Sequence, residues 1–365
     1  MLLLGAGAST PFGVPAMKGF IERVESVINS SDERDLYNLI RESINESKEL
    51  LGLKMMFDLE SLMAVLEDLY QVKKRSVSYP TFAFLLYTGE LKMTKARQKY
   101  SQVAERLSRK VREVIFKTCM EPIERYRKNN EYWKFDSVYS PLFMLLGRSI
   151  SLFEKESTRW IFTTNWDVCL EEWMRYKVYP FEDGTTTTLQ QSLVLDVQRG
   201  WTDSSDRLKI VHLHGSVAWL KKELVMEGGR YREIVKVFPE YLRSGEEILD
   251  LYMIYPLEAI GYENAIVSPY IDMLGLMKER LRKENNIFII GSSLRDPTIA
   301  SVFEDVLREK QRKGEWFPLG DNLEKRAEEA RESQFKIFLI DPNPEQIVNY
   351  LKENEFDNFS KAVIP

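Results

Sequence analysis

Three short apolar runs in this chain each stop at small or polar residues and give way to a helical pattern. Leu2-Leu3-Leu4 runs into Gly5-Ala6-Gly7-Ala8-Ser9 and then a helix from Ala16 to Ile28. Trp160-Ile161-Phe162-Thr163-Thr164 runs into Asn165-Trp166-Asp167 and a helix carrying Leu170 and Trp173. Ile287-Phe288-Ile289-Ile290 runs into Gly291-Ser292-Ser293-Leu294-Arg295-Asp296-Pro297, with Ile299, Val302, Phe303 and Val306 on the buried face of the next helix. Strands that are apolar throughout are buried on both faces, and a strand–turn–helix order builds a parallel sheet flanked by helices. The expected fold class is α/β with an open parallel sheet.

Such sheets bind ligands outside the carboxyl ends of their strands. Glycines let a backbone approach a pyrophosphate closely, and free amides at a turn and helix start attract its charge. Gly5-Ala6-Gly7 therefore opens a dinucleotide-binding unit, although Thr10 stands where the usual third glycine would be. A plain strand-to-helix turn is the other reading. Asn165 and Asp167 either face a ligand or cap the helix behind them. Asp296 caps a helix whose first turn holds Pro297.

The only two histidines, His212 and His214, lie in Ile210-Val211-His212-Leu213-His214-Gly215-Ser216. This reads as a buried strand ending in a glycine turn, and strand alternation puts both rings on one side. Any histidine chemistry near neutral pH falls to these two. The alternative is that both are buried side chains needing only hydrogen-bond partners.

At 365 residues the chain is long for one compact domain. Residues 30–155 are helical and strongly charged, with amphipathic helices over Asp58–Lys73 (capped by Asp58) and Ala96–Lys128, and a third starting at Ser140-Pro141. We read them as an insertion into a nucleotide-binding domain made of 1–29 and 156–365, and as an oligomer or partner surface. A smaller insertion covers 217–262. Residues 177–205 read as a polar loop, and Phe335–Ile340 as the last strand, followed by Asp341-Pro342-Asn343-Pro344.

Lys92–Lys117 carries nine basic and two acidic residues, a solvated face or a docking face. The net charge of −5 argues against direct nucleic-acid binding by this chain alone. No apolar run approaches the roughly 18 residues of a membrane span, and Leu2-Leu3-Leu4 is too short for a signal-peptide core, so a cytoplasmic protein is expected. Cys119 and Cys169 cannot form a four-thiolate zinc site.

Taken in order, GAGAS with FGVP behind it, TTNWD, HLHGS, IIGSSLRDP and LIDPN resemble the motifs of the sirtuin superfamily. The pattern is most similar to bacterial sirtuin-like NAD-consuming domains of antiphage defence systems. That resemblance implies a Rossmann-like sheet that grips NAD⁺ as a substrate. Gly5, Ala6, Gly7 and Ser9 would line the diphosphate turn, and Asn165 and Asp167 would face the nicotinamide ribose. His214 would be the base, with His212 structural. Gly291, Ser292 and Ser293 would approach the adenosine side, and Asp341 and Asn343 the adenine end, with Thr164, Gly215 and Asp296 among the nucleotide contacts.

Two departures point away from protein deacylation. The CxxC…CxxC zinc module of the deacylases is absent, so no zinc is expected. Val14-Pro15 is followed by Ala16-Met17-Lys18 where the deacylases carry an acidic residue, an aromatic and an arginine. The expected activity is NAD⁺ glycohydrolysis to nicotinamide and ADP-ribose. The alternatives are a non-catalytic subunit sensing NAD⁺ or ADP-ribose, and an NAD-dependent deacylase or ADP-ribosyl transferase. A freely active NADase would poison its own cell, so an off state is expected through homo-oligomerisation or a partner, and the resemblance implies a HerA-type ATPase as that partner.

Overall fold

The computed structural model describes residues 1–51, 57–70, 79–89, 93–148, 160–187, 192–202, 207–226, 229–237, 251–254, 269–292, 294, 296–314 and 336–340. Ser293, Asp341 and Asn343 lie outside the described residues. The strands of the central sheet all run in one direction. Its strands are β1 (Leu2–Leu4), β2 (Trp160–Thr163), β3 (Phe181–Glu182), β6 (Leu208–His212), β10 (Asn286–Ile290) and β11 (Lys336–Ile340). Their order is β11-β10-β1-β2-β6-β3, with every neighbouring pair parallel. This is the expected α/β, Rossmann-like architecture. Ile161, Phe162, Ile210, Val211, Ile287 and Ile289 are buried, as strands covered on both faces require.

The register puts Ile290, Leu4, Thr163 and His212 side by side across four adjacent strands. The residue after each one begins a motif turn. From β1 the chain passes to β2, then to the edge strand β3 and back inward to β6, and later crosses to the other side of β1 with β10 and β11. The reversal falls between β1 and β10, where open α/β sheets bind ligands.

A second sheet is antiparallel, in the order β4-β5-β8-β7-β9. Its strands are β4 (Thr185–Thr187), β5 (Leu193–Leu195), β7 (Gly215–Met226), β8 (Gly229–Lys236) and β9 (Leu251–Met253). It is wider than residues 217–262, and it corrects the reading of 177–205 as a loop. Thr185–Thr187 forms a strand by backbone pairing alone, with no apolar alternation to announce it.

The helices are α1 (Met17–Val27), α2 (Ser31–Leu51), α3 (Leu59–Tyr70), α4 (Tyr79–Tyr87), α5 (Met93–Asn129), α6 (Trp133–Arg148), α7 (Cys169–Tyr176), α8 (Tyr270–Lys283) and α9 (Pro297–Arg312). Asp58 caps α3 as expected: its Oδ1 accepts from the Ser61 amide (2.8 Å), and Ser61 Oγ accepts from the Asp58 amide (2.9 Å). Helix α6 begins at Trp133 and passes through Ser140, so Ser140 is not a cap. Its hydroxyl bonds instead to Asp136 Oδ1 one turn back. Within the basic run of α5, Arg106 pairs with Asp32, Lys110 with Glu33 and Arg112 with Glu67, while Arg109 and Lys117 pair along the helix. Much of that charge is spent holding α2 and α3.

The end of α7 carries local strain. The Val178 amide bonds to Arg175 O (3.1 Å) and the Tyr179 amide to Met174 O (2.9 Å), a Schellman closure whose turning residue is normally glycine. Val178 holds φ at 58° while 85% exposed. A β-branched residue in this region is disfavoured, and nothing buried depends on its side chain. Val178→Gly is expected to raise stability by about 0.5–1 kcal/mol, after the entropy lost to glycine's freer unfolded chain. Thermal unfolding checks this; a lower melting temperature contradicts it.

Candidate active site

Backbone hydrogen bonds carry the strand register one step past the row Ile290–Leu4–Thr163–His212. The Gly5 amide bonds to Ile290 O (2.8 Å), the Thr164 amide to Leu4 O (3.0 Å) and the Leu213 amide to Thr163 O (2.8 Å). The motif turns therefore leave from one edge at one level.

The glycine turns after β1 and β10 interlock. The Gly7 amide bonds to Gly291 O (2.8 Å). A Cβ on Gly5 would lie 2.5 Å from Ser292 Cα, and one on Gly7 would lie 2.7 Å from Gly291 Cα. Gly291 has φ +61°, and its Cβ would lie 2.2 Å from the Ala8 amide nitrogen. Glycine is thus required here for one turn to pack on another. The Gly5 amide donates to Ile290 O at the end of β10, and the Gly7 amide to Gly291 O in the turn that follows it. Gly291→Ala combines a disfavoured φ with a backbone clash and is expected to cost on the order of 1–3 kcal/mol. Denaturant unfolding tests this, and an unchanged midpoint would contradict the interlock.

Behind the first turn, Asn165 Nδ2 donates to Ser9 Oγ (2.9 Å), and the Asn165 amide donates to Thr163 Oγ1 (3.0 Å). Ser9 also stabilises the charged form of Asp167. Asp167 Oδ1 accepts from the Cys169 amide (3.0 Å) at the start of α7. Burial pushes the Asp167 carboxyl above the usual carboxylate range, and the Ser9 and Cys169 bonds only partly offset this. Asn165 Oδ1 is buried with no hydrogen-bond partner among the described residues. Such an orphan acceptor costs on the order of 1–3 kcal/mol unless something fills its lone pairs.

Strand β6 ends at His212; Leu213 and His214 form a turn, and Gly215 starts β7. Gly215 has φ +77°, and a Cβ there would lie 2.0 Å from Tyr252 O. The Ile254 amide bonds to His214 O (2.8 Å) from the end of β9. The alternation argument therefore stops at His212, and the two rings meet different partners.

His212 is enclosed. Its Nδ1 lies 3.1 Å from Asn165 O and its Nε2 2.7 Å from Glu171 Oε1. Both neighbours are acceptors, so both nitrogens carry protons and the ring is an imidazolium. Burial pulls the His212 pKa down, but the Glu171 carboxylate outweighs it and the net shift is upward. For Glu171, burial acts upward, and the charge and hydrogen bond of His212 carry the net value down to about 2.

His214 keeps one nitrogen open. Its Nε2 lies 2.7 Å from Asp296 Oδ2, and Nδ1 has no hydrogen-bond partner among the described residues. Asp296 Oδ1 accepts from the Thr298 (2.7 Å) and Ile299 (3.2 Å) amides, which is the helix cap expected from the sequence. Tyr270 Oη reaches Asp296 Oδ2 at 3.5 Å. Burial pushes the Asp296 carboxyl up, yet His214 and the two amides outweigh it and hold it below its ordinary value. The pairing of Asp296 with His214 was not visible in the sequence. The two residues are 82 positions apart, and Asp296 was read as a cap and nucleotide contact. Ser292 is buried, with its Oγ accepting from the Leu294 amide (3.3 Å).

A family model described as SIR2-like domain matches residues 159–342, just over half of the 365. The chain belongs to the SIR2-like family. SIR2-like proteins are NAD-dependent enzymes, so an NAD-related function follows for the chain. The match runs from one residue before β2 to two past β11 and contains Asn165, His212, His214 and Asp296. The SIR2-like region receives Gly5–Ser9 from outside the match, through β1 paired between β2 and β10. No curated protein matches the chain at a significant level. Among the described residues, no helix is long and apolar enough to cross a membrane, and no three His, Cys, Asp or Glu side chains are grouped to hold a metal ion.

Proposed function

We propose that this SIR2-like protein is an NAD⁺ glycohydrolase that releases nicotinamide and ADP-ribose. The observation that carries the reading is that two groups without partners among the described residues follow the ends of the adjacent strands β2 and β6. Among the described residues Asn165 Oδ1 is an acceptor without a partner, and the Nδ1 of His214 has no hydrogen-bond partner. A ribose hydroxyl fits the first, and a water proton fits the second.

The chemistry asks for little more. The bond between C1′ and the nicotinamide nitrogen breaks with its electron pair going to a cationic leaving group, which departs as neutral nicotinamide. No protein acid is needed there, unlike ordinary glycosidases with two carboxylates. Asn165 orients the ribose, fixed by Ser9 on its amide side and by Thr163 on its backbone. Water adds to C1′ and gives its proton to His214, help typically worth on the order of 10²–10⁴ in rate. Asp167 acts through Ser9 and the start of α7, holding Asn165 in line. Gly5, Ala6, Gly7, Gly215, Gly291, Ser292 and Ser293 border the nucleotide, with Thr164 beside it and Asp341 and Asn343 toward the adenine.

Incubation with NAD⁺ alone tests the proposal. Nicotinamide release with no acceptor present supports hydrolysis. Release only with an acylated peptide means deacylation, and binding without release means a sensing subunit.

The motif resemblance extends the proposal to a cytoplasmic antiphage effector that depletes NAD⁺ and is held off by homo-oligomerisation or a HerA-type ATPase. In this scheme residues 1–29 and 156–365 form the NAD-binding domain, 30–155 carry the oligomer or partner surface, and 217–262 form a smaller insertion. A monodisperse monomer, fully active with no partner, would contradict the regulatory part.

A further inference from the structure

We infer that Asp296 is a positioning residue that fixes the tautomer of His214, so that Nδ1 rather than Nε2 receives the proton in the reaction. This rests on the hydrolase reading above and says which atom of the base acts.

An ionised carboxylate only accepts, so the nitrogen 2.7 Å from Asp296 Oδ2 must carry a proton. In a neutral imidazole the other nitrogen is then bare. Asp296 cannot easily turn away. Its Oδ1 is held by the Thr298 and Ile299 amides, and Pro297 stiffens the first turn of α9. The histidine is held from its backbone, because Ile254 bonds to its carbonyl and only glycine fits at 215 against Tyr252 O. When Nδ1 takes the proton released as water bonds to C1′, the imidazolium that forms already faces a carboxylate. The contrast with His212 separates the two rings: His212 uses both nitrogens on Asn165 O and Glu171 and has none left for a base.

The test does not depend on turnover for its first arm. The chain has two histidines, so nitrogen NMR of the histidine-labelled full chain shows two rings, and His214→Gln assigns them. The neutral form of His214 should carry its proton on Nε2; a proton on Nδ1 overturns the inference. The second arm uses Asp296→Asn. An asparagine oxygen caps α9 as well as aspartate does, which leaves its NH₂ facing Nε2. Nε2 must then become the bare nitrogen and Nδ1 the protonated one. The fold should hold while nicotinamide release falls on the order of 10²-fold or more, with the acid limb of the pH profile displaced. Release within about twofold of the unaltered chain, with an unchanged profile, overturns the inference. If the unaltered chain releases no nicotinamide at all, the hydrolase reading fails, and the NMR arm still decides the tautomer.

Discussion

His214→Gln and Asn165→Ala each lower nicotinamide release by on the order of 10²–10⁴-fold while the protein stays folded. The glutamine is chosen because its amide can still donate to Asp296. Alanine at 214 would leave a buried carboxylate without its main partner, and lost activity would then mix with lost stability. At Asn165 the side chain gives one hydrogen bond to Ser9 and offers an acceptor unfilled among the described residues. Its removal takes little from the folded chain and, on our account, most of the ribose alignment from the reaction. Steady-state release at saturating NAD⁺, with unfolding curves for both variants, checks this. Full turnover by either variant removes that residue from the proposed machinery.

Glu171→Gln destabilises the protein by about 3–5 kcal/mol near neutral pH, the usual cost of stripping one partner from a buried ion pair. The effect reaches the site because His212, which Glu171 holds, also holds the Asn165 carbonyl. The pH dependence has a definite sign. His212 is raised above its ordinary 6.5, so its contribution is full below that value and is lost as pH rises through the raised one. Glu171 is lowered from 4.5 to about 2, so its contribution is full above 4.5 and is lost as pH falls toward 2. The stability gap between the unaltered chain and Glu171→Gln should be widest from about pH 4.5 to 6.5 and narrow on both sides. Denaturant unfolding across this range measures it. A gap that is small and flat with pH would contradict the buried imidazolium.

What the sequence showed was whatever burial on both faces forces. Trp160–Phe162 and Ile287–Ile290 announce themselves because a covered strand must be apolar, and the motif turns follow directly. The Asp296 cap and the Asp58 cap were legible because capping is local. Contacts set by sheet order were not. His214 meets Asp296 only because β6 and β10 both end at the row that β1 and β2 bridge. His212 meets Glu171 because α7 lies beside β6, 41 positions away in the chain. Gly5 and Gly7 were recognised for the right property, close backbone approach, but that approach is to Gly291 and Ser292. Ser140 misled because serine before proline marks a helix start, while here its hydroxyl bonds within a helix already under way.

The most direct measurement is product analysis after incubating the chain with NAD⁺ and nothing else, beside the His214→Gln variant. We predict nicotinamide and ADP-ribose in equal amounts from the unaltered chain and almost none from the variant. NAD⁺ recovered intact from the unaltered chain, or equal product from both, would contradict the account.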